Sequence, residues 1–205
     1  NQEFLELKSY LCVQIFDQSR HLEALRKRVL AGGQGLKRAS VAAEQALKEL
    51  LSAESYAETS VGVNLLLGGV LLSVQRHLAA VTSSETDRRL FRLMMQDTAR
   101  MVAYGSGHLR YYLTHQPHQA GFLHDYLDSA EHCLLGLIGS QECLEPLIVL
   151  SGGGTAPEQL RRGGQIVQQL LRSLVAEYHE RCERAGLQGR GARSRLGTFL
   201  RQLEA

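Results

Sequence analysis

Asp17-Gln18-Ser19-Arg20-His21 and Asp97-Thr98-Ala99-Arg100-Met101 are two versions of one polar pattern, about 80 residues apart. Each lies within a long stretch of helical periodicity. Leu7, Leu11, Gln14, Gln18, His21 and Leu25 recur at alternating steps of four and three, and so do Met94, Thr98, Met101, Gly105, His108 and Tyr112. Residues so spaced share one face of an α-helix. Both rows are apolar at points where they should enter a core, yet the first is polar at its centre. A chain with two such helices must bury polar groups between helices.

The rest of the sequence agrees with an all-α fold. Trp is absent, Pro occurs three times, and no window alternates with β-branched residues as a strand would. The pattern predicts helices over residues 3–30, 38–53, 54–81, 85–116, 120–139, 141–150, 158–185 and 192–203. Ser83 or Ser84 is placed to cap the fourth, and Pro117 to stop it. Pro157 opens the long helix that Gly186 ends. The 205 residues suffice for one large domain, with 1–116 as core bundle helices and 117–205 as additional helices with a basic C-terminal segment.

A formal net charge of +2 gives no general case for nucleic acid or a membrane surface. No run of ~20 uninterrupted apolar residues stands out. Cys12, Cys133, Cys143 and Cys182 match no zinc or redox spacing. They read as free, mostly buried thiols of a cytoplasmic protein.

Phe16 through Glu23, and Asp97 through Tyr104-Gly105, resemble the paired Asp-Glu-x-Arg-His helices of the ferritin-like di-iron carboxylate superfamily. Bacterial ferritin-like oxygenases and ribonucleotide-reductase small subunits are of this kind. Asn64-Leu65-Leu66-Leu67-Gly68-Gly69 resembles the segment that usually reads Glu-Gly. The resemblance covers residues 3–116 well and 117–185 loosely, and implies a ferritin-like helical bundle. In such a bundle Glu-x-x-His holds metal because residues three apart on a helix project together. Iron in its working oxidation states prefers carboxylate oxygen, with imidazole completing the shell.

Carried over residue by residue, the resemblance implies a degenerate site. Gln18, Gly68, Thr98 and Met101 stand at ligand positions, and His21 alone keeps its type. A Gln carbonyl brings no charge to balance iron. Asp17, Arg20, Asp97 and Arg100 are retained as the groups that orient ligands and tie helices together. The expectation is therefore a protein with no cofactor and no catalytic residue. It would act as a structural, binding or partner subunit, in a homodimer or beside a metal-competent relative.

Two alternatives remain open. One is an oxidoreductase with iron in an unusual or partial site, drawing on His21 with Glu54 or Glu58. The other is a binding module holding a small apolar ligand in the bundle interior, where Leu66, Leu67, Met94, Met95 and Met101 are available.

Other motifs read more simply. His115, His118, His124, Asp125 and His132 have the types for zinc or nickel, but Pro117 interrupts their helix. Gly152-Gly153-Gly154 lacks the strand and the Gly-Lys-Ser/Thr ending of a phosphate loop and reads as a flexible connector. Arg181, Arg184, Arg190, Arg193, Arg195 and Arg201 read as a solvated basic face. No nucleophile elbow or local Cys/His signature marks a hydrolase.

Overall fold

The computed structural model describes residues 2–33 and 35–203, with side chains from 5 to 200. The protein is all-α, with no strand among the described residues. It divides into two compact units, residues 1–39 and residues 40–205.

The first unit is one helix, α1 (Gln2–Ala31). Arg28 lies in its last turn, where a cation meets the negative end of the helix dipole. Gly33 then takes a left-handed backbone at φ 77°. Ile15, Leu22 and Val29, seven residues apart, lie on one side and are exposed.

The second unit begins with α2 (Val41–Leu51), capped by Ser40, whose Oγ accepts the Ala43 N–H at 3.2 Å. Next, α3 (Tyr56–Thr59) opens with a capping box between Ser55 and Glu58. It runs into an eight-residue π-helix, Ser60–Leu67, and then into α4 (Gly68–Val81). The Gly68 N–H reaches back to the Val63 carbonyl, five residues away, which marks the wide turn. Ser84 caps α5 (Glu85–His115) by accepting the Asp87 N–H, and Pro117 begins a short 3-10 turn. Then come α6 (Ala120–Ile138), α7 (Gln141–Gly152) and α8 (Pro157–Arg184). The helix expected over 192–203 is instead two, α9 (Arg190–Arg193) and α10 (Arg195–Leu203). Extended backbone at Ser194 separates them, because its hydroxyl is drawn to Glu131.

Leu65, Leu109, Leu127, Leu174, Leu187 and Leu196 are all nearly inaccessible and belong to one core. Each such side chain contributes about 1.5–3 kcal/mol of burial. That core draws on residues well beyond 117, so the later helices complete the bundle instead of decorating it. Tyr56–Val81 is long and apolar enough to cross a membrane by length and composition, although no uninterrupted run appeared in the sequence. Most of its apolar window is buried inside the protein, through residues such as Val61, Leu65, Leu66 and Val70.

Two further expectations are corrected. Gly152 ends α7 and Gly153 caps it with a left-handed backbone, so the glycine run is a tight turn and not a flexible connector. A Cβ on Gly152 would collide with the Gln159 carbonyl, and one on Gly163 with the Ile148 carbonyl. The two glycines let the backbones of α7 and α8 touch. Of the cysteines, only Cys182 is buried, while Cys12 is exposed and Cys133 and Cys143 are intermediate.

Candidate functional site

Gly68 and Met101 meet where α4 packs on α5. Gly68 is the first residue after the π-helix. A Cβ placed on it would lie 2.6 Å from Met101 Cε and 3.1 Å from Val102 Cγ2. Met101 thus occupies the space into which a side chain at 68 would project. Thr98, one turn earlier on α5, is 1% exposed. Close by, Gly105 lies against Asn64 of the π-helix, and its carbonyl accepts the Ser60 hydroxyl at 3.3 Å. Side chains of the wide turn therefore press directly on the backbone of α5 at Gly105.

In the first unit, Arg20 donates to Asp17 at 2.5 Å, and His21 stands one turn from Asp17 on the same face. The same bridge recurs in the second unit, where Arg100 donates to Asp97. Each Asp-x-x-Arg pair closes within its own helix.

The residues do not fit an iron pair. No three His, Cys, Asp or Glu side chains among the described residues stand close enough to hold a metal ion. Dinuclear iron needs several carboxylates around imidazole. Glu58 is committed elsewhere, accepting the backbone N–H groups of Glu54 and Ser55 at 2.7 and 2.9 Å. The histidines around Pro117 are likewise not gathered into a metal cluster.

The chief polar cluster centres on Glu131, which belongs to none of the sequence motifs above. Glu131 of α6 is fully buried and accepts from four partners. Tyr178 Oη donates at 2.7 Å, Arg190 Nε at 2.8 Å, Ser194 Oγ at 2.9 Å and the Arg195 N–H at 2.9 Å. Arg190 is also fully buried and reaches Asp128 at 2.9 Å and the His124 carbonyl at 3.0 Å. Arg193 bridges Asp125 and Asp128, both at 2.5 Å. The tail expected as a solvated basic face is thus largely paired and partly buried, although Arg184, Arg193 and Arg195 remain exposed. Arg201 lies outside the described side chains. Burial, with the neighbouring Cys182 and Glu131, pushes the Tyr178 phenol well above its usual range. One cue was available: Glu131 interrupts the apolar face formed by Leu123, Leu127 and Leu134. A charge there requires a partner.

A second polar group links α4 to α8. Glu177 accepts from Arg76 at 2.7 Å, Ser73 at 3.1 Å and Arg181 at 3.4 Å. Burial opposes its charge, but Arg76 and the other partners outweigh that and hold the carboxyl below its ordinary range. His77 meets Ser151 at 2.7 Å, and burial lowers the imidazole's proton affinity. This Ser–His contact is no nucleophilic pair, since Ser151 is buried in the last turn of α7, where free carbonyls and not free N–H groups accumulate.

Comparison with protein-family models, with curated proteins and with solved structures finds no match.

Proposed function

We propose that this is a ferritin-like protein in which side-chain packing has replaced the di-iron centre, and which acts as a structural, binding or partner subunit. The carrying observation is the contact of Met101 with the empty side of Gly68. A carboxylate at 68 would have to displace the flexible end of Met101, whose thioether makes the junction apolar. The π-helix ending at Gly68 supports the reading, because such wide turns occur often at functional sites. The retained Asp17–Arg20 and Asp97–Arg100 pairs are the part of the motif that serves architecture without metal. On this reading the protein works as a homodimer or beside a metal-competent relative.

Metal analysis tests it directly. The full chain is loaded anaerobically with ferrous iron and desalted, and iron is then measured per chain. Substoichiometric iron is expected. Close to two irons per chain, tightly held, would overturn the reading and favour the oxidoreductase alternative.

A further inference from the structure

Two histidines meet the C-terminal segment, one from each of the helices it packs on. His179 of α8 touches both short helices. A Cβ on Gly191 of α9 would stand 3.5 Å from its Nδ1, and one on Gly197 of α10 would stand 3.6 Å from its Cε1. His124 of α6 accepts Arg190 Nη1 of α9 on its carbonyl at 3.0 Å. Both rings are half-buried. His124 Nδ1 and His179 Nε2 are buried and have no hydrogen-bond partner among the described residues. With the proton on the other ring nitrogen, each of these atoms is an idle acceptor. A second proton makes it a donor on a cation with nothing to donate to, which is far more costly.

The charges around the rings add to that cost. His124 faces Arg190 and Arg193 of α9, opposed by Asp128 of its own helix and a backbone hydrogen bond at Gln188. His179 faces Arg190, opposed by Glu131 of α6 and Glu183 of its own helix. Burial, joined by the arginines, wins at both and holds each imidazole below the ordinary histidine range. The opposing acids are already engaged. Glu131 holds Arg190, Asp128 holds Arg190 and Arg193, and Glu183 accepts the Gly189 N–H at 2.9 Å.

The segment itself is lightly anchored. Gly189, just before α9, has a left-handed backbone at φ 77° and can serve as a hinge. The two helices have four and nine residues, too few to persist without packing. Leu196 is the fully buried apolar side chain among those described in the segment, helped by the partly buried Phe199 and Leu200. The rest of the hold is polar, through Arg190, Arg193 and Ser194.

We infer that α9 and α10 form an acid-operated latch: protonation of His124 and His179 releases them from α6 and α8, pivoting at Gly189, while the helices beneath stay folded. Release returns both rings to water, where they take up protons at the ordinary value of about 6.5, so it is favoured as pH falls through that value. The clamp carboxylates do not drive it. Burial opposes the charge of Asp128, but Arg193 and Arg190 outweigh burial and keep that carboxyl low. The latch does not depend on the iron-free reading.

Hydrogen–deuterium exchange of the full chain at pH 7.5 and pH 5.5, corrected for intrinsic rates and read by mass spectrometry, tests this. Protection of residues 190–200 is expected to fall at least about tenfold further than that of the core helix Tyr56–Val81, the effect of one pKa unit. In the double variant His124→Gln, His179→Gln, which takes up neither proton, this excess should disappear. A fall shared evenly along the chain would overturn the inference, as would unchanged protection of 190–200. An undiminished excess in the folded double variant would also overturn it. If that variant does not fold, the comparison of the two segments in the unmodified chain decides.

Discussion

Arg190 and Glu131 meet with neither side chain exposed, Arg190 Nη2 lying 2.7 Å from Glu131 Oε1. The contact joins a residue beyond the last long helix to the middle of α6. With Tyr178 and Ser194 it fastens the C-terminal segment into the core. Removing one partner of such a pair leaves a buried charge uncompensated. Glu131→Ala should therefore lower unfolding stability by about 3–5 kcal/mol. Urea denaturation followed by circular dichroism measures this, and a loss under about 1 kcal/mol would show that the pair is not buried in solution.

The backbone contact of α7 with α8 should be intolerant of a methyl group. Gly163→Ala is expected to destabilise by about 1–3 kcal/mol or more, since the Cβ meets backbone that cannot rotate away. Gly164→Ala, next in the same helix with open space at its Cβ, should instead stabilise by up to about 1 kcal/mol. Opposite signs at adjacent positions are the signature to look for in thermal melts.

Gly68 and Met101 should behave as a coupled pair. Gly68→Ala should cost about 1 kcal/mol, the low end of overpacking, because the atom it meets first is the mobile end of Met101. In a Met101→Ala background the same change should cost much less, because the methyl then enters space that Met101 has left. Additive effects in a double-mutant cycle would place the two residues out of contact.

Acid should destabilise the protein before its carboxylates titrate. Burial lowers the pKa of His77, His108, His124 and His179, with Arg190 and Arg193 adding to the effect at His124. The unfolded chain therefore takes up protons first. Stability is fully present above the free histidine value of about 6.5 and declines as pH falls through it toward the depressed folded values. The urea midpoint should drop between pH 7.5 and pH 5. A flat profile over that range would contradict the assigned burial. At lower pH, Glu177 has the same sign for a different reason: its stabilised carboxylate is lost as pH falls below about 4. Glu177→Gln should remove that component.

Thiol labelling should order the cysteines. Cys12 is exposed, whereas Cys182 is fully buried and its thiol is pushed up to about 12 by burial. An aromatic disulfide reagent at pH 8 should modify Cys12 rapidly and Cys182 only as the chain unfolds. Rapid loss of all four thiols would indicate a looser core.

Local signals carried most of the helix pattern. Ser84, Pro117 and Pro157 act through hydrogen bonds or steric effects within a few residues, so their consequences were legible. The shared face of Met94, Thr98, Met101 and Gly105 on α5 also followed from helical spacing. Partners distant in sequence did not reveal themselves. Nothing near Arg190 announces Glu131, and a run of arginines looks the same whether solvated or paired. Gly152 and Gly163 were opaque for a similar reason. A glycine that ends a helix and one that admits another backbone read identically until the second backbone is in place.

The wide turn over Ser60–Leu67 has a consequence for how chain length can vary. Deleting one residue from an ordinary α-helix rotates everything downstream by about 100° relative to what precedes it. A π segment already holds a surplus residue, which can be given up by reverting to the tighter hydrogen-bond pattern. Phase is then kept on both sides. Gly69, Ser73, Arg76 and His77 would go on facing their neighbours on α7 and α8 after such a loss. The segment is the one slack link in a helix whose later residues have fixed appointments with other parts of the bundle.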